Sequence, residues 1–367
     1  VKMVLIVGAG ITGITIAELL STAGKDVTIV EKRDHVGGNC YDYRTPDGVL
    51  VHRYGPHIFH ESARAVIDYV SRFTDWVPYK HMVVAHYRGK YYPIPINRTT
   101  INQFFGVNLG DDEEVRNFLA HKRVDVGEVQ NSRDVVVSKY GEELYEAFVR
   151  HYTKKQWDHY PEELDRSILE RLPIRYDDNP YYFNDTFQAL PADGYTRMFE
   201  RMLDRDRIRV HLNTDFADVP ERASFEHVVY TGRIDQYYDF DLGELQYRCI
   251  DFCFETLDTE SYQPYPVVNH PGPDVNYTRC TEFKHFYGTS SSRTVILKEY
   301  PSWDGEPSYP VINEANTKRF NQYLERSRDE QNVVFAGRSG RFRYLNMNQA
   351  VQEAHTLAAS LLEGGPI

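Results

Sequence analysis

An α/β fold is predicted for this chain: a discontinuous Rossmann-like dinucleotide-binding domain with an inserted helical domain and an antiparallel β-sheet domain. Three features predict it. The chain opens with an apolar strand pattern, a GxGxxG turn and a helix pattern, and near its end repeats strand, glycine turn and helix in "NVVFAGRSGRFRYLNMNQAVQEAHTLAASLLE". Between these lie a charged stretch of helical character and then a series of strand-like segments rich in β-branched and aromatic residues.

Taken in order, "KMVLIV" reads as a buried strand, "GAGITG" as a turn, "ITIAELLSTAG" as a helix with Gly24 past its end, and "DVTIVEK" as the second strand. Gly8, Gly10 and Gly13 stand in GxGxxG register, and Glu31 closes the second strand. The first glycine makes the tight turn, the second lets backbone approach a pyrophosphate, and the third lets helix and strand pack closely. The helix N-terminus then faces the phosphates and Glu31 accepts from a ribose hydroxyl. A further glycine pair, Gly37 and Gly38 in "KRDHVGGNCYD", resembles the extra turn of FAD-binding flavoproteins and favours FAD over NAD.

Next, "VLVHRYGPHIFH" alternates, residues 61 to 73 have helical character, and "HMVVAHYRGKYYPIP" reads as a hairpin turning at Arg88-Gly89. Residues 98 to 171 are predicted helical, and 172 to 195 a long loop, on three prolines and several Asp and Asn. With Gly194 and Arg171 at its base, that loop reads as a mobile lid. "HVVYTGRIDQYY", "LQYRCIDFCFE", "YPVVNH", "VNYTRCTEFKHF" and "TVILKEY" read as strands of a largely antiparallel sheet. The domain bounds that follow are 1–76, 195–240 and 317–367 for the FAD-binding domain, 98–194 for the helical domain, and 77–97 with 241–316 for the sheet domain.

Composition narrows the function. With 54 acidic against 42 basic residues the net charge is −12, which argues against nucleic acid or an anionic membrane as partner and requires local arginines wherever an anion binds. The apolar run "MVLIV" is too short for a signal or a membrane span, so a cytosolic protein is expected. Four cysteines, Cys40, Cys249, Cys253 and Cys280, lack zinc spacing and read as packing residues of a reducing compartment. His57 and His60 in "GPHIFH" have H-x-x-H spacing but no third ligand in register, so no metal is expected.

The segments "RDHVGGNCYD", "YGPHIFH", "PINRTTINQFF", "YTKKQW", "RLPIRY", "LPADGYTRMF", "YTRCTEFKHF" and "GRSGRFRYL" together resemble the UDP-galactopyranose mutase family over essentially the whole chain. The resemblance implies an isomerase that interconverts UDP-galactopyranose and UDP-galactofuranose. It would use FAD, required in its reduced form, through a flavin N5 glycosyl adduct and with no net redox, in a cytosolic homodimer. It implies that Arg171 and Arg279 hold the diphosphate, that Trp157 stacks on the uracil with Phe148, Tyr152, Thr153 and Gln156 around it, and that Tyr182, Tyr309 and Tyr344 reach the phosphates. Asn269 and Asn346 would meet the substrate, and His60 would tune the flavin. On the cofactor it places the glycines and Glu31, then Lys32, Gly38, Asn39, His57, Ile58, His60, Gly337, Arg338, and the run Tyr344, Leu345, Asn346, Met347.

The chain departs from the family pattern at Asn346 and Asn348, where relatives carry aspartates, and at His81, Val149 and Ser308. A mutase for TDP-fucopyranose or UDP-N-acetylgalactosamine is therefore the alternative, and an amine-oxidase-type flavin oxidoreductase the competing class. Asn346 also suits the N-cap of the last helix.

Overall fold

The computed structural model describes residues 3–170, 172–173, 175–220 and 222–364. A five-stranded, wholly parallel sheet has the order Ile208–His211, Asp26–Val30, Met3–Val7, His227–Tyr230, Val333–Phe335. Parallel strands need coverage on both faces. Helices Ile11–Thr22 and Met347–Glu363 cover one face, packing Ile16, Ala17, Leu20, Ala354, Ala358 and Leu361 over Val4, Ile6 and Ile29. The other face buries Leu5, Val228 and Phe335 under Tyr238 and Tyr323. Each fully buried large apolar side chain contributes about 1.5–3 kcal/mol. Because Val333–Phe335 pairs with His227–Tyr230, segments distant in sequence complete one Rossmann-like sheet.

The seven-stranded second sheet has the order Pro307–Pro310, Tyr247–Leu257, Thr294–Ser302, Arg279–Glu282, Val267–Asn269, Val83–Tyr87, Lys90–Ile94. Every pairing is antiparallel except Val267–Asn269 against Val83–Tyr87. Its hairpin turns at Arg88 and Gly89, both at positive φ (49° and 76°), as a two-residue turn matching strand twist requires.

The inserted helices begin where the sequence supplies caps. Asn97, Asp111 and Asn131 accept backbone N–H bonds at the starts of Arg98–Phe105, Asp112–Lys122 and Ser132–Tyr140, each cap contributing about 1 kcal/mol. A helical run then carries a π turn over Tyr145–Val149 into the helix Arg150–Trp157. Such turns are frequent at functional sites because they re-aim side chains.

Five expectations need correction. Within the predicted loop, Phe187–Pro191 is a strand, central in a three-stranded sheet between Phe59–Glu61 and Trp76–Pro78. Gly194 is not part of a lid: at φ 94° it leads into helix Tyr195–Leu203, whose first amides donate to the buried Asp42 carboxylate (Tyr195 N 2.6 Å, Thr196 N 2.8 Å). "HVVYTGRIDQYY" is a parallel strand followed by the short helix Ile234–Tyr237, and "VNYTRCTEFKHF" is strand only over Arg279–Glu282 before the turn Lys284–Tyr287. Cys40, Cys249 and Cys280 are buried, but Cys253 is exposed on its strand, against the expected packing role.

Candidate active site

One cavity of about 1230 Å³ runs from the glycine turn of the parallel sheet to the Arg150–Trp157 helix. At one end Gly8, Gly10, Gly38 and Asn39 line it, with Glu31 and Lys32 at the edge of the second strand. Gly13 does not line it and serves packing: a Cβ there would lie 2.1 Å from Gly8 O. Both Glu31 oxygens are oriented by backbone, accepting from Ala9 N (2.8 Å) and Arg33 N (2.9 Å). Among the described residues no side chain caps the Ile11–Thr22 helix, so its first amides remain available to an anion. Lys32 is held outward by Glu306, and Asn39 Oδ1 accepts from Arg33 (3.1 Å).

The middle is walled by His57, Ile58 and His60 on one side and by Gly337, Arg338, Leu345, Asn346 and Met347 on the other. Asn346 is the residue before the last helix, and its N–H donates to Gln349 Oε1 (2.9 Å), so the helix start is capped and Asn346 still faces the cavity. Arg338 donates to Leu345 O (2.9 Å), closing the glycine turn onto that loop. The two histidines of "GPHIFH" diverge: His57 Nδ1 donates to Gly55 O (2.8 Å), while His60 Nδ1 donates to Asp185 (2.7 Å) and its ring stacks on Phe183 at 3.8 Å. No cluster of three or more His, Cys, Asp or Glu able to hold a metal occurs among the described residues.

At the far end the Arg150–Trp157 helix presents Tyr152, Thr153, Gln156 and Trp157, with Phe148 from the π turn. Trp157 is largely buried, 6 % exposed, within the helical core, and also lines the cavity. Asn269 and Arg279 face each other across the base of a hairpin, and Tyr182, Tyr309 and Tyr344 complete the wall. Tyr344 donates to Pro310 O (3.0 Å). Arg279 Nε donates to Glu299 (2.6 Å), a carboxylate only 2 % exposed. Burial opposes the charge of Arg279, but Glu299 and the nearby Tyr309 and Tyr152 phenols more than offset it, and its pKa is held well above the ordinary range. With Nε engaged, its two terminal nitrogens are the donors left for a ligand. Arg171 lies outside the described residues.

The segment after it is tied down. Arg175, buried, donates to the carbonyls of Tyr181 and Tyr182, and Tyr182 N donates to His81 O (2.7 Å). Glu299, Arg175 and Phe183 were not marked by the sequence reading. The signal for Glu299 was a charged residue inside the apolar run "TVILKEY".

Burial lowers the pKa of His81 to about 3, assisted by Arg279 and His60, and that of His57 to about 4, assisted by Arg338 and Arg279. Both are neutral in the fold, whereas in the unfolded chain they titrate near 6.5. Below that pH the unfolded state takes up protons that the native state does not, so stability is complete above pH 6.5 and is lost as pH falls toward 4. The loss attributable to His81 is on the order of a few kcal/mol after allowing for water in the cavity. His81→Gln is expected to flatten the fall of Tm between pH 7 and 4. Superimposable profiles for the two proteins would rule the assignment out.

The parallel sheet, glycine turn and uncapped helix define a Rossmann-type dinucleotide-binding protein, and its cavity continues into a second site with an arginine and several aromatic side chains. A family model described as an NAD(P)-binding Rossmann-like domain matches residues 6–73, and one described as UDP-galactopyranose mutase matches residues 147–344. A probable UDP-galactopyranose mutase of Klebsiella pneumoniae is 41% identical over 369 residues, covering 98% of this chain and 95% of that protein. A dTDP-fucopyranose mutase of Escherichia coli is 38% identical over 363 residues, covering 96% of each. The crystal structure of a reduced UDP-galactopyranose mutase superposes with a TM-score of 0.76 at 16% identity, covering all of this chain and 94% of the other, and supports the fold. The chain belongs to the UDP-galactopyranose mutase family. No helix of the described residues is long and apolar enough to cross a membrane.

Proposed function

We propose that this protein binds FAD and interconverts the pyranose and furanose forms of a nucleotide sugar, with UDP-galactose as the leading substrate. The observation that carries this reading is the continuity of the cavity: the dinucleotide cradle and the wall of Arg279, Trp157 and Tyr152 enclose one space. The residues present fit FAD. The Gly8–Gly10 turn and the free helix N-terminus suit its diphosphate, Glu31 its adenosine ribose, and the walls of His57 to His60 and Leu345 to Met347 the ring end. Bound in its reduced form, FAD would supply an electron-rich N5 able to displace the anomeric phosphate with no net redox.

This chain's own residues then position and neutralise. Exchanging a pyranose for a furanose requires C1 to release its diphosphate, the ring to open, and O4 to close it again. The diphosphate is the largest charge to develop, and Arg279, paired through Nε, offers its terminal N–H groups to it. Trp157 and Tyr152 receive the base, where each stacked ring contributes about 1–3 kcal/mol. Tyr182 and Tyr309 supply phenolic groups along the phosphates, Tyr344 joins them on releasing Pro310 O, and His60, fixed by Asp185, adjoins the ring end of the cofactor.

A dTDP-fucose substrate is the second reading, favoured by the 38% identity to the Escherichia coli mutase and by two uncharged groups, His81 and Asn346, facing the cavity. The test is chromatographic assay of the dithionite-reduced protein against UDP-galactofuranose, dTDP-fucofuranose and the N-acetyl analogue. Catalytic conversion of at least one without stoichiometric consumption of reductant is expected, with little turnover by the oxidised protein. Equal turnover by the oxidised protein would refute the role of reduced FAD, and no conversion of any sugar would refute the mutase reading.

A further inference from the structure

Lys155 does not line the cavity that its helix neighbours Thr153, Gln156 and Trp157 face. Its side chain crosses to the loop 270–277, which is more than a hundred residues away in sequence. There Nζ donates to four backbone carbonyls: His270 (2.5 Å), Gly272 (2.8 Å), Val275 (3.1 Å) and Tyr277 (3.0 Å). That loop is the tip of the hairpin whose base pairs Asn269 with Arg279. The hairpin is closed above this pair by His270 N to Thr278 O (2.8 Å). A second cation fixes the same helix end from the strand Tyr247–Leu257: Arg248, 2 % exposed, donates to Gln156 O (2.8 Å). Its guanidinium stacks on Trp303 at 4.3 Å.

We infer that Lys155 is a positioning residue that locks the base-binding helix to the Arg279 hairpin, setting the separation between the nucleobase wall and the diphosphate-binding arginine. An ammonium has three donors, and four converging carbonyls satisfy them with one shared bond, so the loop carbonyls are organised around the cation rather than around one another. Rings of carbonyls at about 3 Å also replace the hydration shell of a free monovalent cation, so the cage has the chemistry of a small cation site with the cation tethered. Removing the ammonium leaves several partly buried carbonyls without a donor, and the loop must shift to reach water. That shift moves Arg279 relative to Trp157. A 1 Å displacement of a positioning group is enough to weaken binding and rate together.

This inference rests on the nucleotide-sugar reading, and the experiment separates the two. UDP binding by calorimetry and conversion of UDP-galactofuranose by the reduced protein are measured for wild type, Lys155→Met, Lys155→Arg and Lys155→Ala. The last is assayed with ammonium chloride or, at matched ionic strength, tetramethylammonium chloride. Lys155→Met is expected to raise the Kd for UDP and the KM at least tenfold with flavin content unchanged, and ammonium to restore much of the loss in Lys155→Ala. Tetramethylammonium, too large for the cage, should restore none. Lys155→Arg keeps the charge but presents a wide planar fork, and is expected to raise KM at least fivefold. It serves as the decisive variant if the alanine protein is insoluble. Wild-type UDP affinity in Lys155→Met, or a loss in Lys155→Ala that ammonium does not relieve, overturns the inference while leaving the mutase reading in place. Failure of the wild-type protein to bind either UDP or dTDP overturns both.

Discussion

Arg279→Ala is expected to lower kcat/KM on the nucleotide sugar by roughly 30- to 1000-fold, the equivalent of about 2–4 kcal/mol of lost transition-state stabilisation. The arginine is the described cation that adjoins the tyrosine wall of the cavity while sharing its charge with a single buried acid, Glu299. Alanine does two things at once: it removes the donors facing the ligand and leaves Glu299 buried without its guanidinium, which costs stability as well. Arg279→Lys separates these effects. A lysine keeps a positive charge beside Glu299 and should hold Tm close to wild type, yet its single ammonium cannot serve Glu299 and fork onto a phosphate together. Lys at this position is therefore expected to retain the fold and lose at least tenfold in rate. Near wild-type kcat/KM in the lysine protein would mean that the terminal nitrogens of Arg279 do not meet the substrate. Arg171→Ala carries a similar expectation from the sequence alone.

What could be read in the sequence was local. The strand–turn–helix of residues 3 to 22 needs only neighbours in the chain, and Glu31 stands at a spacing the motif prescribes, so both were legible without the fold. Helix starts at Asn97, Asp111 and Asn131 were not marked in the sequence, although an Asn or Asp cap is equally local and bonds within three residues. The strand Phe187–Pro191 was not legible. Asn184 and Asp185 before it and Pro191 at its end read as turn residues, and it becomes a strand only because Phe59–Glu61 and Trp76–Pro78, more than a hundred residues earlier, supply partners on both edges. Lys155 is one of two adjacent lysines in "YTKKQW", but its partners are carbonyls of a distant loop, and no side-chain pattern announces a backbone acceptor. The 28 tyrosines, 19 phenylalanines and 3 tryptophans likewise have no placement in the sequence until the fold puts His60 on Phe183 and Trp157 in the helical core.

The three glycines of the turn should respond differently to substitution, and Gly10→Val is expected to yield folded protein that has lost nearly all of its flavin. A Cβ at Gly8 would stand 2.1 Å from Thr231 Oγ1, and Gly8 has φ 104°, so a side chain there strains the fold itself. A Cβ at Gly13 would stand 2.1 Å from Gly8 O and forces helix and turn apart. At Gly10 the nearest atom is Gly38 Cα at 4.0 Å, an ordinary contact, and the backbone at φ −80°, ψ 176° is one a β-branched residue adopts readily. The protein therefore has room for a Cβ at this position. What the valine occupies is cavity, immediately before the free amides of the Ile11–Thr22 helix, where a pyrophosphate must approach the backbone. Flavin absorbance per chain should drop to near background while the Tm of the flavin-free variant stays close to that of flavin-free wild type. Gly13→Ala, by contrast, should lower Tm whether or not flavin is present. A yellow Gly10→Val protein with a full complement of FAD would place the cofactor's diphosphate somewhere other than this turn.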